Sequence, residues 1–163
     1  MKPSRLALSL VLLVLATTAA LAQSDARKSF DSLKSLAGTW QATYEGKPMQ
    51  ATLRVTSMGN AILHEMKGEG PDNPITMFYL DGDRLLLTHY CDAGNRPRME
   101  GKLSADGKTA EFEFLDVAGG TQYGHMHHAA FNLIDANHHI EEWTYMGPGD
   151  KPVRAHFDLQ RTK

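Results

Sequence analysis

The sequence predicts an all-β protein, an antiparallel up-and-down β-barrel of about ten strands preceded by a short helix. Runs of alternating apolar and polar residues follow one another from residue 39 to residue 161. The connections carry turn sequences, and Asp81-Gly82 and Asp106-Gly107 lie between apolar alternations, which is a strong hairpin signal. Consecutive hairpins make antiparallel neighbours, and a long meander loses its sheet edges fully only by closing. We expect strands at 39–45, 49–57, 60–67, 75–81, 84–91, 97–104, 108–117, 122–134, 138–146 and 152–161.

The segment before the first strand predicts a short helix over residues 24–36. Phe30, Leu33 and Leu36 recur at helical spacing, and charged residues occupy the other positions. Gly38 follows, as glycine often does after a helix.

The first 22 residues predict a cleavable export signal. Lys2 and Arg5 precede an apolar run at residues 6–15, and Ala20-Leu21-Ala22 supplies a small-residue cleavage pattern. The apolar run is too short for a comfortable membrane span. We therefore expect a periplasmic or secreted protein whose mature domain covers residues 23–163, with no stable membrane span after cleavage.

The charge and the cysteine content narrow the range of partners. The chain has 17 basic and 19 acidic residues, and removing Lys2 and Arg5 with the signal leaves a formal charge of about −4. This balance argues against nucleic acid or an anionic membrane as the main partner. A small-molecule partner is expected instead from the pocket that a ten-strand barrel encloses. Cys91 is the only cysteine, so the fold depends on its hydrophobic core rather than on an internal disulfide.

Gly38-x-Trp40 opens the first strand and Arg161 ends the last one. This pattern resembles the signature of the lipocalin-like (calycin) β-barrels. The resemblance implies that Trp40 plugs one end of the barrel and that Arg161 packs across its indole as a cation–π pair. Because only residues 46–48 separate the first two strands, the protein looks most like a lidless ten-strand barrel of nitrobindin type. That likeness implies haem as a candidate cofactor.

Four histidines are expected inside the barrel, because their parity matches the apolar face of their strands: His64, His89, His125 and His127. An i, i+2 pair such as His125 and His127 projects two rings from one face and could hold a divalent metal with a third ligand from a neighbouring strand. The alternative is that these histidines line a polar part of the cavity. His138 and His139 adjoin a turn, so we expect both at the surface.

Two arginines flank a proline in the polar segment after the fifth strand. Arg96 and Arg98 could clamp a carboxylate or phosphate group of a ligand through paired N–H donors. The alternative is a solvated rim in which they pair with Asp92 or Glu100.

The ninth strand places Glu141 on the same face as Trp143 and Tyr145. If this face enters the cavity, the two aromatic residues contact the ligand, and burial should raise the pKa of Glu141. Cys91 shares a face with His89, but neighbours two apart on a strand are poorly placed to form a nucleophile–base pair. A buried and inert thiol is the better interpretation.

These observations predict an exported binding protein that holds a mostly apolar ligand in its cavity, with a polar or anionic group of the ligand near Arg96 and Arg98. One alternative is a haem- or metal-binding barrel with His125 and His127 as ligands. A second alternative is a small isomerase or hydrolase on the same barrel. No catalytic residue is assigned, because the sequence contains no recognisable set of nucleophile, base and orienting group.

Overall fold

The computed structural model describes residues 24–71 and 73–162. The predicted export signal and its cleavage site lie outside these residues. The described chain forms one α-helix, one 3₁₀ helix and ten strands. Their bounds are α1 Asp25–Lys34, β1 Gly38–Tyr44, β2 Lys47–Thr56, the 3₁₀ helix Ser57–Gly59, β3 Ala61–Lys67, β4 Ile75–Asp81, β5 Arg84–Tyr90, β6 Arg96–Leu103, β7 Thr109–Ala118, β8 His125–Asp135, β9 His138–Gly147 and β10 Lys151–Arg161. Among the described helices, none has the length and apolar character needed to cross a bilayer.

The strands form a closed antiparallel barrel in which each strand pairs with its neighbours along the chain. β1 and β10 complete the ring, with Trp40 opposite Arg161 and Gln41 opposite Gln160. The predicted fold class is therefore confirmed, as are the short helix and the up-and-down order.

Helix α1 packs its apolar face on one end of the barrel. The Ser24 side chain accepts a hydrogen bond from the Arg27 backbone N–H at 3.3 Å and caps the helix. Phe30, Leu33 and Leu36 are buried as the sequence predicts. The Trp40 indole is fully buried beside them, and its Nε1 donates to the Leu36 carbonyl at 2.8 Å. This end of the barrel is the floor.

Arg161 fixes the floor from the opposite end of the chain. Its Cζ lies 4.1 Å from the centroid of the Trp40 ring. The guanidinium also donates to the carbonyls of Ala37 at 2.7 Å, Ser35 at 3.1 Å and Ala136 at 2.8 Å. The bonds to Ser35 and Ala37 tie the end of the last strand to the segment that joins the helix to the first strand, and the bond to Ala136 ties it to the turn before β9.

Gly38 is required at the floor for two reasons. Its φ is +146°, and a Cβ at this position would lie 2.3 Å from Arg161 Nη1. Any side chain would therefore displace the guanidinium from the carbonyls that it binds.

The observed strand bounds agree with the predicted bounds within three residues. The largest difference is in β8, which begins at His125 instead of residue 122. The Asn95 side chain donates from Nδ2 to the carbonyls of Gly120 at 2.8 Å and Gly124 at 2.7 Å. Gly124 has a φ of +96°. These features hold the preceding segment as a loop.

The surface position predicted for His139 is wrong, because its side chain is fully buried. The turn before β9 is only Ala136-Asn137, so the strand begins at His138. His139 then pairs with Leu133 and Leu159 and shares their inward face. His138 is half-buried, and its Nε2 lies 3.0 Å from Asp158.

Candidate functional site

A cavity of about 420 Å³ opens at the end of the barrel where β1 ends, away from the floor. Its wall is mostly apolar and combines thioethers with aromatic rings. Tyr44 and Phe157 meet across the junction of β1 and β10 with their ring centroids 4.9 Å apart. The lining side chains include Tyr44, Met49, Met66, His89, Cys91, Asp92, Met126, Trp143, Tyr145, Ala155 and Phe157.

The structure brings the predicted ligand contacts Trp143 and Tyr145 to this cavity. Trp143 is almost completely buried, and its Nε1 donates to Glu141 Oε2 at 3.0 Å. The Tyr145 hydroxyl donates to the Tyr123 carbonyl. Both rings are thus held by their polar atoms, which leaves their apolar surfaces for the cavity.

His89 is the imidazole on the cavity wall. It is only 3% exposed, its Nδ1 lies 2.9 Å from Thr76 Oγ1, and its ring centroid is 5.4 Å from that of Trp143. Burial and the neighbouring His64 lower the pKa of His89 to about 4, so the ring is neutral at pH 7. The Thr76 contact engages Nδ1 and not Nε2 of this ring.

A buried polar cluster lies behind the cavity wall. The Glu141 carboxylate is fully buried, with its Oε1 3.0 Å from His139 Nε2 and 3.2 Å from His64 Nε2. The His64 contact lies off the hydrogen-bond direction and is therefore electrostatic. The His64 ring stacks on Trp143 with an interplanar angle of 9°. The cluster therefore orients both rings.

The pKa of Glu141 is lowered, not raised as the sequence analysis expected. Burial alone raises the pKa of this carboxyl, but the interactions with His64 and His139 outweigh burial and hold it well below its ordinary value. The expectation was wrong because two imidazoles reach this carboxylate, that of His139 from the same strand and that of His64 from β3 across the barrel. Trp143 lies between this carboxylate and the cavity, and Glu141 is not part of the described lining.

The expected alternation breaks at His127. Met126 pairs with Tyr145 and His128 pairs with Thr144, so His127 is the extra residue of a β-bulge. The bulge reverses the facing of the residues before it, and Met126 lines the cavity in place of the two histidines. His125 and His127 are half-buried beside Phe114, with ring centroids 4.6 and 5.0 Å from that of Phe114.

The two arginines lie away from the cavity lining. Arg96 and Arg98 are exposed, while Pro97 between them is buried. Arg98 Nε donates to Asp116 Oδ1 at 2.8 Å, and its Nη2 donates to Oδ2 of the same carboxylate. Arg98 thus pairs with Asp116 instead of the expected Asp92 or Glu100. Glu100 pairs with Arg84 at 3.0 Å. The structure therefore places no arginine clamp from this segment on the described lining of the cavity.

Comparisons with known proteins identify the fold. No family model and no curated protein matches the sequence. Rv2717c from M. tuberculosis is similar in structure, with a TM-score of 0.58 and 11% identity over 83% of this chain and 98% of that chain.

A protein of unknown function from the DUF3598 family of Nostoc punctiforme is also similar, with a TM-score of 0.54 and 10% identity over 80% of this chain. The match covers 49% of that protein, so the present chain spans about half its length. At these identities the likeness concerns the fold alone. In fold, this protein is thus a closed β-barrel similar to Rv2717c and to part of the DUF3598 protein.

Proposed function

We propose that this protein is an exported carrier that holds a small, mostly apolar ligand in the barrel cavity. The observation that supports the proposal is the cavity of about 420 Å³, which has an apolar wall and opens away from the floor closed by Trp40. Concave, largely preformed and mostly apolar sites with a few polar groups are typical of small-molecule sites.

The side chains of the cavity wall favour apolar contacts with a ligand and can adapt to its shape. Met49, Met66 and Met126 contribute flexible and polarisable thioethers, and Trp143 and Phe157 contribute flat ring surfaces. A ligand that buries roughly 300 Å² of apolar surface would gain about 7 kcal/mol before the costs of ordering are subtracted.

His89 supplies the polar contact that the sequence analysis assigned to Arg96 and Arg98. The ring is neutral at pH 7, so it forms a hydrogen bond with the ligand rather than an ion pair. We therefore propose that the ligand has an apolar body with one neutral hydrogen-bonding group.

Native mass spectrometry of the protein purified from its own source, without added ligand, tests the proposal. Ala155→Trp fills the cavity from its wall, whereas Arg154→Trp places the same side chain on the opposite, exposed face of the same strand. We expect a retained small molecule in the wild type and in Arg154→Trp and its loss in Ala155→Trp. An unliganded wild type, or equal retention by both variants, would refute the carrier function.

Haem in the same cavity is a separate hypothesis that follows from the nitrobindin-type resemblance. His125 and His127 do not line the cavity, so they do not fit a haem bound there. His89 is the cavity imidazole and has Nε2 available to an iron, and its Thr76 contact would fix the ring. A Soret band that appears in the wild type after haem is added, and is lost in His89→Ala, would favour this hypothesis over the carrier.

A further inference from the structure

We propose that His125 and His127 form a transition-metal site at the rim of the barrel. His125 Nε2 and His127 Nδ1 lie 3.1 Å apart. Two imidazole nitrogens that share one ion, each at about 2.0–2.1 Å from it, are separated by roughly 3 Å. The two rings therefore already have the spacing of a chelating pair.

The β-bulge at His127 produces this spacing. In a regular strand, the side chains of residues i and i+2 leave the backbone about 6.5–7 Å apart and run parallel. Here the register shifts between Met126 and His128, and the His125 and His127 rings meet at 65° with centroids 5.2 Å apart. Bulges often re-aim a side chain at a functional site.

Phe114 on the neighbouring strand holds both rings. It stacks on His127 at an angle of 16° and contacts His125 at 48°. Since the rings are packed in place before an ion arrives, less conformational entropy is lost on binding. The pair is also half-buried, so water can reach it and complete the coordination of an ion.

The donor set indicates the class of metal. Imidazole ligands suit Cu²⁺, Ni²⁺ and Zn²⁺, and Cu²⁺ binds most tightly in this series. Among residues 24–71 and 73–162, the cluster of three potential ligands within mutual reach is Glu111, Glu113 and His128, which does not include the pair. We therefore expect a labile site with two protein ligands and water.

Calorimetric titration of tag-free, chelator-treated protein with Cu²⁺, Ni²⁺ and Zn²⁺ tests the site. We expect one equivalent of Cu²⁺ to bind, and His125→Gln and His127→Gln each to weaken binding at least tenfold. Glutamine retains hydrogen-bonding ability, which protects the fold, and unchanged melting of each variant confirms this.

The matched control is His128→Gln, which alters the adjacent histidine whose Nε2 lies 3.1 Å from Glu111. This variant should bind Cu²⁺ like the wild type. If His128→Gln abolishes binding while the other two variants bind normally, the metal site is the exposed acidic cluster and the proposal fails. If the wild type binds no metal, the His125–His127 contact is only a hydrogen bond and the proposal also fails.

The site is independent of the carrier function, because the cavity is lined by Met126 and not by the two histidines. Binding of Cu²⁺ should therefore leave retention of the small molecule unchanged. Phe114→Leu, which keeps both ligands but removes their packing partner, should weaken Cu²⁺ binding by several-fold. Unchanged affinity in this variant would contradict the argument that Phe114 preorganises the pair.

Discussion

The buried carboxylate of Glu141 makes the fold sensitive to one substitution, Glu141→Gln. The wild-type carboxylate accepts from Trp143 Nε1 and His139 Nε2, and His64 Nε2 adds an electrostatic contact. Glutamine has nearly the same volume but carries no charge and has one acceptor oxygen. Its amide N–H group would face donors that the wild-type carboxylate accepts from, so at least one buried donor would be left without an acceptor.

The expected loss of stability is large. Removing one partner from a buried, charge-assisted cluster costs about 3–5 kcal/mol, because the remaining polar groups stay buried without compensation. In a domain of about 150 residues, each kcal/mol lowers Tm by roughly 2–4 °C. We therefore expect Glu141→Gln to melt on the order of 10 °C below the wild type at pH 7.

Thermal and urea unfolding followed by circular dichroism measures this difference. Glu142→Gln is the matched control, because the neighbouring carboxylate is exposed and lies 3.6 Å from His156. Its effect should stay within about 0.5 kcal/mol. If the two variants unfold at the same temperature, the account of the buried cluster is wrong.

The pH dependence of the same variant provides an internal check. A carboxyl whose pKa is lowered by folding stabilises the protein above its unfolded pKa of about 4.5, and this contribution is lost as the pH falls. The stability difference between wild type and Glu141→Gln should therefore be constant near neutral pH and shrink below about pH 4.5. A difference that grew on acidification would contradict the lowered pKa.

Three further predictions concern the cavity wall and the floor. The pKa of His89 is about 4 in the folded protein, below its unfolded value of 6.5, so wild-type stability should fall as the pH drops from 6.5 to 4. In urea unfolding, His89→Gln should therefore lose about 2 kcal/mol less stability than the wild type between pH 7 and pH 5. Gly38→Ala should lower Tm far more than Gly46→Ala, because both glycines have positive φ but only a Cβ at Gly38 meets Arg161; equal melting would refute this steric argument. Trp40→Ala should cost about 3–5 kcal/mol in chemical denaturation, since the indole is fully buried, and an unchanged midpoint would show that it does not close the floor.

Local patterns predicted most of the barrel. Alternation and turn sequences depend on neighbouring residues, so strand bounds such as β4 Ile75–Asp81 were predicted without error. The contact between Trp40 and Arg161 was expected from the resemblance of their sequence pattern to the calycin signature, and the closed barrel brings the two residues together by pairing its first and last strands.

Features that depend on register were not predictable from alternation. A bulge inserts one residue and reverses the inward and outward facing of the residues before it. The facing predicted for His125 and His127 from regular alternation therefore does not hold. The contact between His64 and Glu141 connects two strands, β3 and β9, that face each other across the barrel. The parity of Glu141 was predicted, but nothing local identifies a partner from across the barrel.

Tryptophan fluorescence tests the central claim most directly, because the chain has two tryptophans, Trp143 on the cavity wall and Trp40 at the floor. In Trp40→Phe the emission comes from Trp143 alone, and in Trp143→Phe it comes from Trp40 alone. Titrating each variant with a bromine-labelled alkyl alcohol, which carries one neutral hydrogen-bonding group and whose bromine quenches an indole on contact, reports where the apolar chain binds. We expect saturable quenching in Trp40→Phe and little in Trp143→Phe. No quenching in Trp40→Phe, or equal quenching in both variants, would contradict a ligand-binding cavity at this end of the barrel.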